Sequence, residues 1–211
     1  MMIKLAIFDF DGTLADTFSV FAESVNVLAA RHGFRQVAHD EVNRLRGLSA
    51  SEILRELQLP VWRVPKVLSD FRDMMQQRIS EIRPFNGICN ALQTMADQDI
   101  TLALATSNSF RNTEAVLGQA LMHRFAAIEC GSPLFNKARC LRRILQLTHT
   151  DKSHAIYIGD EIRDAHAARK IGIQFGAVAW GYTEFDALSA LRPDATFHKP
   201  VDLLNLVTPR Q

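Results

Sequence analysis

The chain has 211 residues, of which 47% are apolar, and its acidic and basic residues nearly cancel to a formal net charge of +1. This length suffices for one ordinary core and a small additional domain. Since no long run carries charges of a single sign, the sequence offers no face for a polyanion, and we expect no nucleic-acid partner.

The first residues and the cysteines indicate the cellular compartment of the protein. The opening apolar run is short and is interrupted by Asp9, which excludes the apolar core of a signal peptide, and no longer apolar stretch follows that could span a membrane. Cys89, Cys130 and Cys140 are an odd number without Cys-x-x-Cys spacing, so we interpret them as reduced core residues. We therefore expect a cytoplasmic protein with no membrane partner.

Six short apolar runs that lead into turn or cap residues are predicted to be strands. They are continuous apolar stretches without strict alternation, which is typical of strands covered on both faces. Helical patterns separate several of them, so strand and helix alternate. This order predicts an α/β fold, a Rossmann-like doubly wound parallel sheet that binds ligands beyond the carboxyl ends of its strands. The runs are KLAIFDFDG, TLALATSNS, AAIECGSP, AIYIGDE, FGAVAWG and DATFHKP.

One segment breaks the alternation, because it contains no strand-like run and its apolar residues recur only with helical spacing. Within it, Ser49 and Glu52 have the spacing of a capping box that opens a helix. We therefore predict a Rossmann-like core of residues 1–14 and 84–211. An all-helical cap domain of residues 15–83 would be inserted after the first strand and hang over the strand ends as a lid.

Two aspartates stand where the first predicted strand ends. Asp9 and Asp11 are two positions apart, and Gly12 behind them allows a sharp turn, so that both carboxylates can reach one ligand. An isolated Asp-Gly pair is more often a plain turn. Asp9, however, still lies inside the apolar stretch, where a charged group is costly unless it is paired or bound to a metal.

Polar residues also follow the second and third predicted strands. Thr106, Ser107 and Asn108 precede a predicted helix, where hydroxyls and backbone N–H groups can bind an anion. An ordinary helix cap is the alternative interpretation. Lys137 stands at the head of the helix after the third strand, a place where a solvated surface lysine is more common.

The fourth cluster, GDEIRD, contains Asp160, Glu161 and Asp164. Asp160 and Asp164 can share one face of a first helical turn, although Asp160 taken alone could be a helix N-cap. All four clusters follow predicted strands, at the edge where this fold class collects ligands. Together they supply acids for a hard cation, donors for an anion and one positive charge. A divalent metal and a phosphate group satisfy all of them, and oxygen ligands favour Mg²⁺.

With these motifs the chain resembles the haloacid dehalogenase (HAD) superfamily along essentially its whole length. DFDGTLADT is similar to the first motif of that family, Asp-x-Asp-Gly-Thr, and LATSN to the second, a strand that ends in Thr or Ser. Lys137 fits the lysine of the third motif, and GDEIRD fits the acidic fourth. The helical insertion resembles the C1-type cap of the subgroup that includes phosphoglycolate phosphatases and β-phosphoglucomutase.

The resemblance implies phosphoryl transfer through a covalent aspartyl-phosphate. Asp9 would be the nucleophile. Asp11 would protonate the leaving oxygen and later activate water, and its backbone carbonyl would bind Mg²⁺ together with Asp9 and Asp160. Thr106 would hold a phosphoryl oxygen, and Lys137 would neutralise charge on the nucleophile and the phosphoryl group.

Further residues surround these groups in the site that the resemblance implies. Glu161 and Asp164 would order metal-bound waters or Lys137. The phosphate group would be bound by Thr106, Ser107, Asn108 and Lys137. The tripeptide WGY after the fifth predicted strand could line the cleft, although packing or loop anchoring is more common for such residues.

The cap sequence NRLRGLSASE lies where members of this family place a substrate-specificity loop. Arg44 and Arg46 could grip a substrate carboxylate or a second phosphate, with Gly47 and Ser49 beside them. Equally, both arginines could be surface residues at a helix end. The caps of mutase-like members have a sequence similar to Lys-Gly-x-Ser-Arg at this place. This chain has Ala50 in place of the last arginine, and this difference favours hydrolysis over the mutase reaction.

Asp11 favours phosphate esters as the substrates, because dehalogenases and phosphonatases of this fold lack the corresponding acid. We therefore predict a Mg²⁺-dependent phosphatase that hydrolyses small phosphorylated metabolites, with phosphoglycolate as the first substrate to test. The alternatives are a sugar-phosphate mutase and, in another class, a catalytically silent binding or regulatory module, which the complete set of acids disfavours. The sequence predicts no particular oligomeric state.

Overall fold

The computed structural model describes residues 2–131 and 136–207, and within them the six predicted strands form one parallel sheet. The sheet order is β5-β4-β1-β6-β7-β8, which confirms the predicted doubly wound α/β fold. In chain order the strands are β1 (Leu5–Phe8), β2 (Ala15–Asp16), β3 (Arg83–Pro84), β4 (Thr101–Ala105), β5 (Phe125–Glu129), β6 (Ala155–Gly159), β7 (Gln174–Val178) and β8 (Ala195–Phe197).

Ten α-helices accompany these strands in the described ranges. None of the helices there combines the length and the apolar character that crossing a bilayer requires. They are α1 (Phe18–His32), α2 (Val42–Arg46), α3 (Ala50–Glu56), α4 (Val64–Gln77), α5 (Ile88–Asp97), α6 (Phe110–Leu117), α7 (Gln119–Met122), α8 (Lys137–Leu147), α9 (Ile162–Ile171) and α10 (Phe185–Ser189).

Both faces of the sheet are covered by helices, which explains why its strands lack polar alternation. On β1, Ala6 and Phe8 belong to one apolar cluster, to which α5 and the helices between β2 and β3 also contribute. Leu5 and Ile7 belong to the other cluster, which includes residues of α8 and α9. All four β1 side chains are fully buried.

The position of β1 determines where a site can form. Phe8, the last residue of β1, lies opposite Leu104 of β4 and Ile158 of β6. Because β4 and β5 lie on one side of β1 and β6, β7 and β8 on the other, the strand order reverses at β1. In folds of this class the crevice beyond such a reversal binds the ligand.

The predicted helical segment is largely as expected, with α1 to α4 between β2 and β3. The prediction that this region contains no strand is wrong at its two ends. Ala15 pairs with Pro84 and Asp16 with Arg83 in a short antiparallel ribbon. Two-residue strands are too short to show an apolar pattern in sequence. The division into a core and a cap domain stays a prediction, and the ribbon lies at its proposed boundary.

We expect Leu92→Ala to lower the free energy of unfolding by about 2–5 kcal/mol, because truncating a buried leucine leaves a cavity. Leu92 on α5 is 0% exposed. Urea-induced unfolding followed by circular dichroism measures the change. Leu147→Ala on α8 is the control, since Leu147 is 55% exposed, and it should change stability by less than about 0.5 kcal/mol. Equal losses at both positions would contradict the placement of Leu92 in the core.

Candidate active site

A buried lysine joins two aspartates at the centre of this sheet edge. The Nζ of Lys137 donates hydrogen bonds to Oδ2 of Asp9 and to Oδ1 of Asp164, both at 2.6 Å. The three side chains are no more than 3% exposed. Lys137 is the first residue of α8, as predicted, but its burial excludes the interpretation as a solvated surface lysine.

Burial dominates the electrostatics of this cluster. It raises the pKa of Asp9 to about 7, against the opposing effect of Lys137. Burial also lowers the pKa of Lys137, but the carboxylates of Asp164 and Asp9 outweigh it, so the pKa of Lys137 is raised and its ammonium is retained. Burial and then the neighbouring acids hold the pKa of Asp160 well above its ordinary value. Several carboxyl groups thus face one ammonium, which favours binding of a further cation.

Asp160 is held from two sides by the chain around it. Its Oδ1 accepts a hydrogen bond from Oγ1 of Thr13 at 2.7 Å, and its Oδ2 accepts one from the backbone N of Tyr182 at 2.7 Å. Gly12 has a φ of +72°, as its predicted turn requires, and a Cβ there would lie 2.2 Å from Oδ2 of Asp160. A Cβ on Gly181 would lie 2.0 Å from the Cβ of Asp160. Both glycines therefore let the backbone close around this carboxylate.

Three buried carboxylates lie close enough together to hold a metal ion. Oxygen atoms of Asp9, Asp160 and Asp164 lie within 4.8 Å of one another. An all-oxygen donor set with excess negative charge fits a hard divalent cation such as Mg²⁺. Asp9, Asp11 and Asp160 are the predicted metal ligands, with Asp11 binding through its backbone carbonyl. The structure brings the carboxylates of Asp9 and Asp160 together as expected, and the third carboxylate beside them belongs to Asp164.

The side chain of Asp11 has a different partner. Both of its carboxylate oxygens accept hydrogen bonds from Nδ2 of Asn108, at 3.0 and 3.1 Å. Burial raises the pKa of Asp11 to about 6, although hydrogen bonds from Asn108 and Thr17 oppose the shift. A carboxyl group with such a pKa can hold and release a proton near neutral pH.

The polar residues after β4 are not the cap of the next helix. Ser109 takes that role for α6, since its Oγ accepts a hydrogen bond from the backbone N of Asn112 at 3.1 Å. Thr106 is buried, and its Oγ1 accepts a hydrogen bond from the backbone N of Asn108 at 2.9 Å. The carbonyl of Ser107 accepts a hydrogen bond from Arg72 at 2.9 Å. The simple N-cap interpretation therefore fails for Thr106, Ser107 and Asn108.

The acidic motif after β6 also differs from an ordinary cap at Asp160. Glu161 is the N-cap residue of α9, and its backbone N donates to Oδ2 of Asp164 at 3.1 Å. The carboxylate of Glu161 pairs with Arg163. Asp164 therefore binds both the start of its own helix and Lys137. The predicted role of Glu161 and Asp164 in ordering metal-bound waters stays a prediction.

Thr13 and Tyr182 both contact Asp160. Thr13 has no predicted role of its own, and for the tripeptide WGY, which contains Tyr182, packing or loop anchoring was the favoured interpretation over lining the cleft. The hydroxyl of Tyr182 lies 2.6 Å from that of Thr17, and its backbone N reaches Asp160. Trp180 donates to the carbonyl of Thr13 at 3.0 Å, so the tripeptide WGY both anchors its loop and borders the site. The sequence feature that could have identified Tyr182 as a site residue is its position directly after a predicted strand, where the other polar clusters also lie.

Arg46 joins the helical segment to the loop that follows β7. Its Nε donates to the carbonyl of Tyr182 at 2.8 Å and its Nη2 to that of Gly181 at 3.1 Å. Its Nη1 lies 3.2 Å from Glu184, whose backbone N donates to the carbonyl of Arg46 at 3.0 Å. In this conformation the Arg46 guanidinium binds the core. The predicted role of Arg46 in substrate specificity stays a prediction.

The neighbours of Arg46 have structural contacts. Ser49 and Glu52 form the predicted capping box at the start of α3. Gly47 has a φ of −82°, which any residue can adopt, so the backbone there does not require glycine. Arg44 binds Glu56 at 2.9 Å on the surface of the helical segment. These contacts agree with the surface interpretation of Arg44 and leave the specificity roles of Gly47 and Ser49 as predictions.

Comparison with known proteins identifies similar chains. Residues 6–178 match the family described as haloacid dehalogenase-like hydrolase. A phosphoglycolate phosphatase from Synechococcus elongatus is 31% identical over 207 residues, covering 98% of both chains. A phosphoglycolate phosphatase from Agrobacterium fabrum is 32% identical over 201 residues, covering 90% of this chain and 86% of the relative. The structure of a haloacid dehalogenase-like family hydrolase from Streptococcus pneumoniae aligns with a TM-score of 0.78 at 24% identity, covering 98% and 99% of the two chains.

We expect Arg46→Met to loosen residues 181–184, because it keeps the aliphatic stem but removes the nitrogens that bind this loop. Loss of hydrogen bonds from a charged donor should speed hydrogen exchange of the Tyr182 and Glu184 amides by about tenfold or more. Hydrogen–deuterium exchange resolved by peptide measures this rate. Arg44→Met is the matched control and should leave the loop unchanged. If residues 181–184 exchange at the wild-type rate in Arg46→Met, the side chain of Arg46 does not hold this loop in place.

Proposed function

Because the chain belongs to the haloacid dehalogenase-like hydrolase family and is a phosphoric monoester hydrolase, we propose that it hydrolyses small phosphorylated metabolites through an aspartyl-phosphate with Mg²⁺. The observation that carries the proposal is the convergence of Asp9, Lys137 and Asp160 at the strand edge. These residues are far apart in sequence, and together they supply a nucleophile, a positive charge and a metal ligand.

Asp9 is the proposed nucleophile. Its Oδ1 accepts a hydrogen bond from the backbone N of Phe10 at 2.8 Å, and its Oδ2 binds Lys137. These contacts orient the carboxylate. A carboxylate oxygen of Asp9 would bond to phosphorus while the ester P–O bond breaks. Asp11 would give its proton to the leaving oxygen and release the alcohol.

Hydrolysis of the aspartyl-phosphate would reverse the role of Asp11. Its carboxylate, held by Asn108, would take a proton from water as the water oxygen attacks phosphorus. The products would be inorganic phosphate and the free Asp9 carboxylate, with Asp11 protonated again. Thr106 would donate to a phosphoryl oxygen, and Lys137 would stabilise the charge that moves between Asp9 and the phosphoryl group.

Ser107 and Asn108 complete the proposed phosphate-binding set, since they directly follow Thr106 at the end of β4. The metal would be held by Asp9, Asp160 and the backbone carbonyl of Asp11. Bound Mg²⁺ would supply positive charge to the phosphoryl oxygens during transfer. Asp160 would be positioned for this task by Thr13 and Tyr182, which occupy its two oxygens from the protein side.

Phosphoglycolate is the first substrate that we propose to test. Two relatives at 31% and 32% identity carry the name phosphoglycolate phosphatase. Mutase-like caps have an arginine at the position that Ala50 occupies in this chain. Its absence supports hydrolysis over a sugar-phosphate mutase reaction. A silent binding module would not need the full set of Asp9, Asp11 and Asp160.

We expect Asp9→Asn to abolish turnover of 4-nitrophenyl phosphate, with a loss of about a thousandfold or more, because the amide is a poor nucleophile. Colorimetric assays with Mg²⁺ and after its removal by a chelator measure the rate. Asp16→Asn, at an exposed aspartate of β2, is the control and should retain wild-type activity. Activity that survives in Asp9→Asn would refute the nucleophile. A wild-type protein that hydrolyses no ester would favour the binding module, and labelling of Asp9 by a bisphosphate with slow hydrolysis would favour the mutase.

Thr13→Val should raise the Mg²⁺ concentration for half-maximal activity by about 10–100-fold, because it removes a hydrogen bond that orients the metal ligand Asp160. Steady-state rates over a Mg²⁺ titration measure this shift. Thr94→Val, on α5 away from the strand edge, is the matched control. If both variants require the same Mg²⁺ concentration, Thr13 does not support a metal ligand.

A further inference from the structure

A cavity of about 160 Å³ lies between the helical segment and the ends of the strands, and Asp11 forms part of its wall. Its polar lining residues come almost entirely from segments that follow strands of the sheet. They follow the strands β1, β4, β6 and β7, with the exception of Arg72 on α4, whose side chain donates to the carbonyl of Ser107. Asp11, Ser107 and Asn108 among them belong to the proposed site, so the cavity borders the place where the phosphoryl group would react.

The opposite walls are apolar. Apart from Arg72, every described residue that the helical segment contributes to this cavity is apolar, among them Phe21, Ile53 and Phe71. A second cavity of about 100 Å³ shares lining residues with it, most of them apolar, such as Phe21 and Ile53. Glu161, Arg163 and Tyr182 also line both cavities. The space beside Asp11 thus continues into an apolar chamber between α1, α3 and α4.

Asp11 is the residue that would protonate the leaving oxygen, so the group attached to that oxygen would lie in this chamber. The charged side chains that border the chamber already have partners, since Arg163 pairs with Glu161 and Arg72 donates to the carbonyl of Ser107. Arg46 likewise binds the carbonyls of Gly181 and Tyr182. A charged or strongly polar group in the chamber would therefore lose water and compete with these contacts. An apolar group would gain from burial in proportion to its area. A cavity of similar volume lined by Leu, Ile and Phe holds benzene in another protein. The available space therefore fits one ring or a short branched or linear alkyl chain.

We propose that the enzyme binds and hydrolyses phosphate monoesters of apolar alcohols about the size of benzene, with the alcohol part held in the chamber between α1, α3 and α4. The inference rests on the proposed phosphatase reaction and adds the chemical class of its leaving group. Water supplies the oxygen and proton that complete the phosphate and alcohol products. A short polar ester such as phosphoglycolate would leave the apolar chamber unfilled.

The test compares methyl, ethyl, butyl, hexyl and benzyl phosphate, whose alcohols differ far more in apolar area than in chemical reactivity. We expect kcat/KM to rise by about three- to tenfold for each added methylene until the chamber is full, because each one is buried against apolar walls. Hexyl and benzyl phosphate should therefore exceed ethyl phosphate and phosphoglycolate. Values of kcat/KM within about twofold across the series would overturn the proposal.

A matched pair of variants locates the effect. Ala50, the first residue of α3, lines both cavities and is half-buried, so Ala50→Phe should fill the chamber. It should remove the preference for hexyl and benzyl phosphate while ethyl phosphate is still hydrolysed. Ala30→Phe, at an exposed position of α1, is the control and should keep the full preference. If Ala50→Phe does not fold, Ala50→Leu provides a smaller obstruction that should weaken the preference. A preference that persists in a folded Ala50 variant would refute this location.

Different results would refute the proposed apolar chamber and the proposed phosphatase reaction. Hydrolysis of 4-nitrophenyl phosphate without any preference among alkyl phosphates would refute the chamber alone. If no ester is hydrolysed, the reaction fails, and binding of methyl and hexyl phosphonate measured by calorimetry still tests the chamber. Tighter binding of hexyl phosphonate to wild type than to Ala50→Phe supports it, and equal affinities refute it.

Discussion

The buried contact of Lys137 with Asp9 and Asp164 is the constraint on which the site depends. It joins the end of β1 to the first turns of α8 and α9, and all three groups are shielded from water. Removing one partner from such a contact would leave a buried charge without compensation, which is strongly destabilising. The same charges that hold these elements together are those proposed to act on a phosphoryl group, so stability and chemistry rest on one set of residues.

A second chain of contacts connects the helical segment to this cluster. Arg46 binds the carbonyls of Gly181 and Tyr182, and the backbone N of Tyr182 donates to Asp160. A displacement of α2 away from the core would therefore break contacts to the peptide units that orient an acidic residue of the site. Tyr182 also lines both cavities. One short loop thus contacts the helical segment, the apolar chamber and the proposed metal ligand Asp160.

Much of the core could be predicted because its strands are short, continuous and apolar, and parallel sheets bury both faces of such strands. The strands β2 and β3 were not predicted, because a strand of two residues shows no periodicity. Their pairing also joins Ala15 to Pro84, which lie on opposite sides of the helical segment in sequence. Local motifs were more reliable. Ser49 and Glu52 form the expected capping box, because its hydrogen bonds join residues three positions apart.

The sequence by itself determined which chemical groups stand at the ends of the strands: the acids Asp9, Asp11 and Asp160, the hydroxyl of Thr106 and the amine of Lys137. Only the tertiary structure decided their partners. Lys137 meets Asp9 across 128 positions and Thr13 meets Asp160 across 147, and no local pattern encodes such distances. These contacts depend on how the helices pack against the sheet, because packing sets which strand ends and helix starts come within hydrogen-bonding distance.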